Sequence, residues 1–139
     1  IYLEQEFYQE ALLVCEMVPT GMRETQPVLG QCGRALYQVG DWQRAAAVYQ
    51  EIVAQDSSNR WAYYWLAKIY TKLNQIDEAS VYAEIAHRLG PGDISLAVKI
   101  GEWYEQVERP ADALRVYRVA LNAHPNHVGL QERVNRLEN

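Results

Sequence analysis

One interval governs this sequence. Ala11, Ala45, Ala79 and Ala113 follow one another at 34 residues, and so do the small residues Gly33, Ala67 and Gly101. Tyr2, Leu36, Tyr70 and Tyr104 keep the same spacing, as do Pro91 and Pro125, with Ser57 in the preceding register. Four ladders in one register, with no insertion, mean that one structural unit recurs along the chain. A unit of this size cannot enclose its own apolar face, so successive units must stack and share a core. The apolar periodicity inside each unit is helical, and no stretch alternates as a strand does.

A period of about 34 residues with small, aromatic, Ala and Pro landmarks resembles the tetratricopeptide repeat. In the unit 60–93 the landmarks are Tyr63, Leu66, Ala67, Tyr70, Ala79, Ala83, Ala86 and Pro91. In 94–127 they are Ala97, Ile100, Gly101, Tyr104, Ala113, Tyr117, Ala120 and Pro125, and in 26–59 Leu29, Cys32, Gly33, Leu36, Ala45, Tyr49, Ile52 and Ser57. Ala83 and Ala97, where larger residues are usual, and Ile52 and Ser57 depart from the family pattern and should weaken single contacts. The resemblance implies an all-α fold, a right-handed superhelical solenoid of antiparallel helix pairs. Small residues at unit positions 8 and 20 let the paired helices approach, and the residue at position 11 fills the space beside them. Proline near the unit's end stops the second helix, which it cannot continue. Helices are expected at 7–18, 26–39, 42–55, 60–73, 76–89, 94–107 and 110–123. Gly40-Asp41 and Asn74-Gln75-Ile76-Asp77 read as turns carrying cap-type residues.

The ends differ from the middle. Residues 1–25 carry only the back half of a unit, so the chain is expected to come from a longer array. The apolar face of Phe7, Leu12, Leu13 and Val14 would then lack a neighbour and drive self-association. Residues 128–139 read as a final helix, with Leu130, Val134 and Leu137 on one side and Glu132, Arg133, Arg136 and Glu138 facing away. Those charges favour a cap over the first helix of another unit.

Composition excludes several function classes. The formal net charge is −5, with 13 Lys and Arg spread among 18 acids, which argues against a nucleic-acid partner. No apolar run approaches the ~20 residues needed to cross a bilayer. His87, His124 and His127 lack further ligands for a metal site and read as loop histidines near helix ends. No nucleophile, base and orienter converge, and no phosphate loop follows a strand, so neither an enzyme nor a cofactor is expected. Cys15 and Cys32 read as two buried thiols, although their places on adjacent helices would also allow a disulfide.

The resemblance puts ligands on the concave surface formed by the first helix of each pair. Trp61, Tyr64, Trp65 and Lys68 share a face by their i, i+3, i+4, i+7 spacing. Arg34 and Tyr37 precede them at matching unit positions, and Lys72 and Lys99 follow. These eight residues are the candidate partner-binding groove, with an acidic end at Glu102 and Glu105. Aromatic faces beside flexible cations suit an extended peptide with acidic or apolar side chains, and would also suit sugar rings. Two readings of Trp61 and Trp65 stand side by side, a binding groove or packing between units. Family members that clamp chaperone C-terminal tails would need Lys, Asn and Arg at positions that here hold Gly30, Arg34, Trp65, Ser95 and Lys99. No such tail is therefore expected as a partner. The function read from this pattern is a protein-interaction module. Its alternative is an assembly segment of a longer solenoid, as in the bacterial secretion, pilus and polysaccharide-export machines where the family occurs.

Overall fold

The computed structural model describes residues 26–139, backbone alone for 26–28, together with Gln9 and Leu13, both helical and exposed. The helix expected at 7–18, its apolar face and Cys15 otherwise lie outside the described residues. Seven helices follow within 26–139: α1 (Gln26–Val39), α2 (Trp42–Gln55), α3 (Arg60–Lys72), α4 (Ile76–Leu89), α5 (Ile94–Gln106), α6 (Pro110–Ala123) and α7 (Val128–Glu138). Their bounds match the expected ones to within a residue. Each helix packs on the next in sequence, and α3 also touches α5. The contacts of α5 with α4 and with α3 are both thin, and α1, α3 and α5 are the first helices of successive pairs.

Local chemistry at the helix starts repeats with the period. Asn59, Asp93 and His127 stand one unit apart and each accepts a hydrogen bond from the backbone N–H three residues on. Each therefore satisfies an orphan donor of the helix it begins. Asp41 caps α2 in the same way, but Gln75 and Arg109, which precede α4 and α6, make no side-chain cap. The turn expected at 74–77 thus lacks the side-chain cap expected of it. It relies on backbone geometry instead. Gly40, Asn74 and Glu108, again one unit apart, adopt φ of 86°, 62° and 63°. Glycine adopts this left-handed region freely, whereas a β-carbon strains it. Replacing Glu108 by Gly is expected to stabilise the fold by about 0.5–1 kcal/mol, read from urea unfolding midpoints. An unchanged or lower midpoint would contradict the strain.

The small residues at unit position 8 are matched to the residue at position 24. A β-carbon on Gly33 would lie 2.6 Å from Tyr49 Cε2, and one on Gly101 would overlap the Tyr117 ring. Between these two units stands the pair Ala67 and Ala83, both 1% exposed. Where the aromatic ring is present the opposing residue is glycine, and where it is absent the opposing residue is alanine. Ala83 is therefore a volume exchange with Ala67 and not the weakened contact its departure from the family pattern suggested. Leu36 and Tyr104 are buried beside these contacts. Tyr70 is only partly buried and stacks on Tyr82 at 5.2 Å, with Gln50 donating to both hydroxyls.

Among the described residues two clusters make up the core, one through α1–α3 and one through α3–α7. Leu66 belongs to the first and the adjacent Ala67 to the second. Helix α3 therefore carries both packing faces and joins the two. At the far end, α7 buries Leu130 and Val134. Its charges do not simply face away as expected. Arg133 pairs with Glu102 at 3.1 Å, Arg136 with Glu105 at 2.6 Å, and Glu138 with Arg118 at 2.6 Å. Long side chains lying along the helix surface reach back to α5 and α6 while their heads stay in solvent.

Two further expectations need correction or refinement. Cys32 is disulfide-bonded, so the buried-thiol reading does not hold for it. It is buried in α1, at 5% exposure. His87 is not a loop residue: it is buried within α4 at 6% exposure, and its Nδ1 has no hydrogen-bond partner among the described residues. Burial pushes its proton affinity below the usual imidazole range, with Glu84 acting to raise it and Arg115 to lower it. The folded state thus disfavours the charged ring, while the unfolded chain binds the proton near pH 6.5, so stability should fall as pH drops below about 6.5. Urea unfolding at about pH 7.5 and about pH 5.5 should show this loss, and His87→Leu should reduce it. An equal loss in the variant would assign the effect elsewhere.

Candidate functional site

Helix α3 has apolar side chains on two faces because it packs on both sides, and this leaves a third face for Trp61, Trp65, Lys68 and Lys72. Arg34 and Tyr37 come from α1 and Lys99 from α5. Trp65 is the centre of the group. It lies nearly parallel to the Tyr49 ring at 6.1 Å and takes edge contacts from Tyr37 at 5.4 Å and Tyr64 at 5.9 Å. Trp61 meets Tyr64 edge to face at 5.7 Å. The Lys68 ammonium stands 5.0 Å from the Trp65 ring, 5.3 Å from Tyr37 and 5.8 Å from Tyr64. The Arg34 guanidinium lies 5.8 Å from Trp65. Six of the eight expected residues thus form one aromatic platform crossed by two cations, each attracted by the ring quadrupoles. Lys72 and Lys99 are exposed beside it.

The residues differ in how free they are. Tyr64 is buried, and its hydroxyl is pushed up to about 12 by desolvation and then by the nearby Glu102 and Tyr37. It forms a floor and not an open surface. Trp65 is half-buried and holds α1, α2 and α3 together, so it serves unit packing and groove at once. Trp61 has one aromatic neighbour and is the more available ring. Burial lowers the proton affinity of Lys68, and the positive charges of Lys99 and Lys72 lower it further.

Two clefts flank α3. One, of about 150 Å³, lies against α1 and α2 and is lined by Arg34, Tyr49, Ile52, Trp61 and Trp65 among others. The other, of about 140 Å³, lies against α5 and is lined by Tyr64, Lys68, Lys99, Glu102, Trp103 and Gln106. Tyr49 and Trp103 were not foreseen as site residues. Tyr49 had a signal, since the glycine one helix away at Gly33 calls for an aromatic ring there. Trp103 had none beyond its size. Its indole N–H donates to Thr71 Oγ1 at 2.7 Å and locks α5 to α3 under the lysines.

The acidic end expected at Glu102 and Glu105 is neutralised. Besides its pair with Arg136, Glu105 accepts from the Tyr117 hydroxyl at 2.8 Å, and its carboxyl is held below the usual range first by Arg136, against the opposing effect of burial, with Tyr117 adding to the lowering. Glu102 is paired with Arg133. His124 Nε2 lies 2.8 Å from the Gly92 carbonyl, and His127 Nδ1 caps α7. Both therefore have structural partners, and among the described residues no group of three metal-ligating side chains converges. No helix among the described residues is long and apolar enough to cross a membrane.

The tetratricopeptide repeat profile matches residues 36–100. No curated protein matches the chain by sequence at a significant level. Among solved structures, residues 41-end of MamA from Desulfovibrio magneticus RS-1 are 21% identical, the match covering 97% of this chain and 76% of that one at a TM-score of 0.69. The second TPR domain of human RPAP3, in complex with the HSP70 peptide SGPTIEEVD, is 17% identical over 80% of this chain and 92% of that one, at 0.60. The Arabidopsis OM64 TPR domain is 22% identical over 80% and 92%, at 0.58. Identities this low show the fold alone. The 34-residue landmarks and the stacked helix pairs agree with the profile match over residues 36–100, and together they support a tetratricopeptide repeat assignment for this chain.

Proposed function

We propose that this chain is a protein-interaction module that holds an extended segment of a partner in the concave groove of α1, α3 and α5, without transforming it. One observation carries the reading: aromatic rings and cations are already assembled there, on the row of first helices, before any partner arrives. A preassembled platform loses little side-chain freedom on binding, which favours affinity. One structural neighbour is a TPR domain in complex with the HSP70 peptide SGPTIEEVD. Here Gly30, Trp65 and Ser95 occupy places that a carboxylate clamp needs, so this groove works by other contacts. Amidating a chaperone tail peptide is therefore expected to leave any affinity for this chain unchanged in calorimetry. Tight binding that requires the free carboxylate would contradict this.

The test of the main reading is capture from native lysate by the chain and by its Trp61→Ala, Lys68→Ala double variant. Trp61 and Lys68 are chosen because neither stands at the centre of the ring contacts that join α1, α2 and α3, as Trp65 does. Loss of the partner with an unchanged melting temperature supports the groove. Equal recovery on both would move the contact to another face and favour the assembly role.

A further inference from the structure

We infer that the groove selects an acidic segment of a partner protein, seating an apolar side chain in the cleft between α1 and α3 and an Asp or Glu side chain between Lys68 and Lys99, three to four residues away. The inference rests on the peptide-binding reading above.

The distribution of ion pairs carries it. Among the described residues, Arg44, Arg60, Arg88, Arg109, Arg115, Arg118, Arg133 and Arg136 all pair with a carboxylate. The cations without an acidic partner are Arg34, Lys68, Lys72 and Lys99. All four lie on one face, that of the first helices. Acids outnumber Lys and Arg by 18 to 13, so this is no shortage of carboxylates. Among the described residues, the cations are neutralised everywhere except on the groove. Three of the four crowd one another: Lys99 and Lys72 both disfavour the charge on Lys68, which burial has already made costly. A carboxylate entering beside Lys68 and Lys99 relieves that repulsion. Glu102, in the same cleft, does not serve, because Arg133 holds it at 3.1 Å.

Geometry sets the spacing. The apolar cleft and the lysine cleft lie on opposite sides of α3, so their centres differ by about one interaxial distance, ~8–10 Å. They also differ by about three residues along the helix, ~4–5 Å at 1.5 Å per residue. The separation is therefore about 9–11 Å, which an extended peptide spans in three to four residues at ~3.3 Å each. The first cleft offers Ile52 and the Trp61 and Trp65 rings, which suit an apolar side chain. The second offers the Lys68 and Lys99 ammonium groups beside Tyr64.

The test is selection from a random decapeptide library displayed inside a longer chain, so that no peptide terminus is free, followed by calorimetry with the enriched peptide. Expected is enrichment of Asp or Glu three or four positions from an apolar residue. Changing that acid to its amide should weaken binding at least tenfold. Lys68→Gln with Lys99→Gln should weaken the parent peptide to the same extent and leave the amide peptide unaffected; Lys99→Gln alone, at an exposed site, should give part of the loss. Binders that are lost with Trp61→Ala but carry no acid would overturn this inference and leave the groove reading intact. Binders indifferent to Trp61→Ala, or none above background, would overturn both. Tenfold tighter binding of a phosphoserine version would assign the subsite to phosphate and overturn the carboxylate. Displacement of the peptide by a single-stranded decanucleotide at lower concentration would overturn the choice of a protein partner.

Discussion

Tyr117→Ala is expected to cost about 3–5 kcal/mol, the range for a buried aromatic lost to a cavity. Tyr117 is 0% exposed. Its ring covers Gly101, its hydroxyl donates to Glu105, and the Arg133 guanidinium lies 5.6 Å from the ring. The loss therefore reaches α5, α6 and α7 together. Gly101→Ala alone should cost about 1–3 kcal/mol by overlap with that ring. The two losses should not add. With both changes the pair becomes Ala facing Ala, as Ala67 faces Ala83 one unit earlier, and the new methyl groups fill part of the cavity. A double-mutant cycle by urea unfolding should give a coupling of about 1–3 kcal/mol in favour of the double variant. Additive losses would mean that the exchange of volume between unit positions 8 and 24 is coincidental.

Trp65→Ala is expected to cost about 3 kcal/mol, the low end for a large aromatic because the ring is half-buried. It should also abolish partner capture, which makes it a poor test of function by itself. The ring stacks on Tyr49, receives Tyr37 and Tyr64, and lies under Lys68 and Arg34, so its removal loosens the seam between the first two units and the platform together. Trp61→Ala should separate the two effects, with a much smaller loss of stability and a comparable loss of capture. Equal stability losses for the two tryptophans would place Trp61 in the core and remove it from the groove.

The helices were legible because their landmarks recur. Ala45, Ala79 and Ala113 mark the tight contacts, and the capping residues Asn59, Asp93 and His127 mark starts at the same interval. The groove was partly legible, since helical spacing alone gathers Trp61, Tyr64, Trp65 and Lys68 on one side. Helical spacing could not say that Tyr64 would be buried, because its ring joins the core cluster that runs on through α5–α7. The acidic end was misread for a related reason. Glu102 and Glu105 look free on their own helix, but their partners Arg133 and Arg136 arrive one unit later. Glu84 and Arg115 stand in the same relation, 31 residues apart, as do Glu105 and Arg136. A slightly larger offset, 32 residues, joins Thr71 to Trp103 and Gln50 to Tyr82. Polar contacts between neighbouring units thus fall a little short of the full period, a signal available in the sequence once the stacking direction is known.

The central claim is that the partner lies on the row of first helices. Four tryptophans report on it directly through their indole N–H resonances: Trp61 and Trp65 in the groove, Trp103 beneath the lysines, and Trp42 at the start of α2. Titration of isotope-labelled chain with a captured or selected segment should shift Trp61 and Trp65 strongly, Trp103 slightly and Trp42 not at all. Saturable binding that moves Trp42 and leaves Trp61 and Trp65 in place would contradict the account.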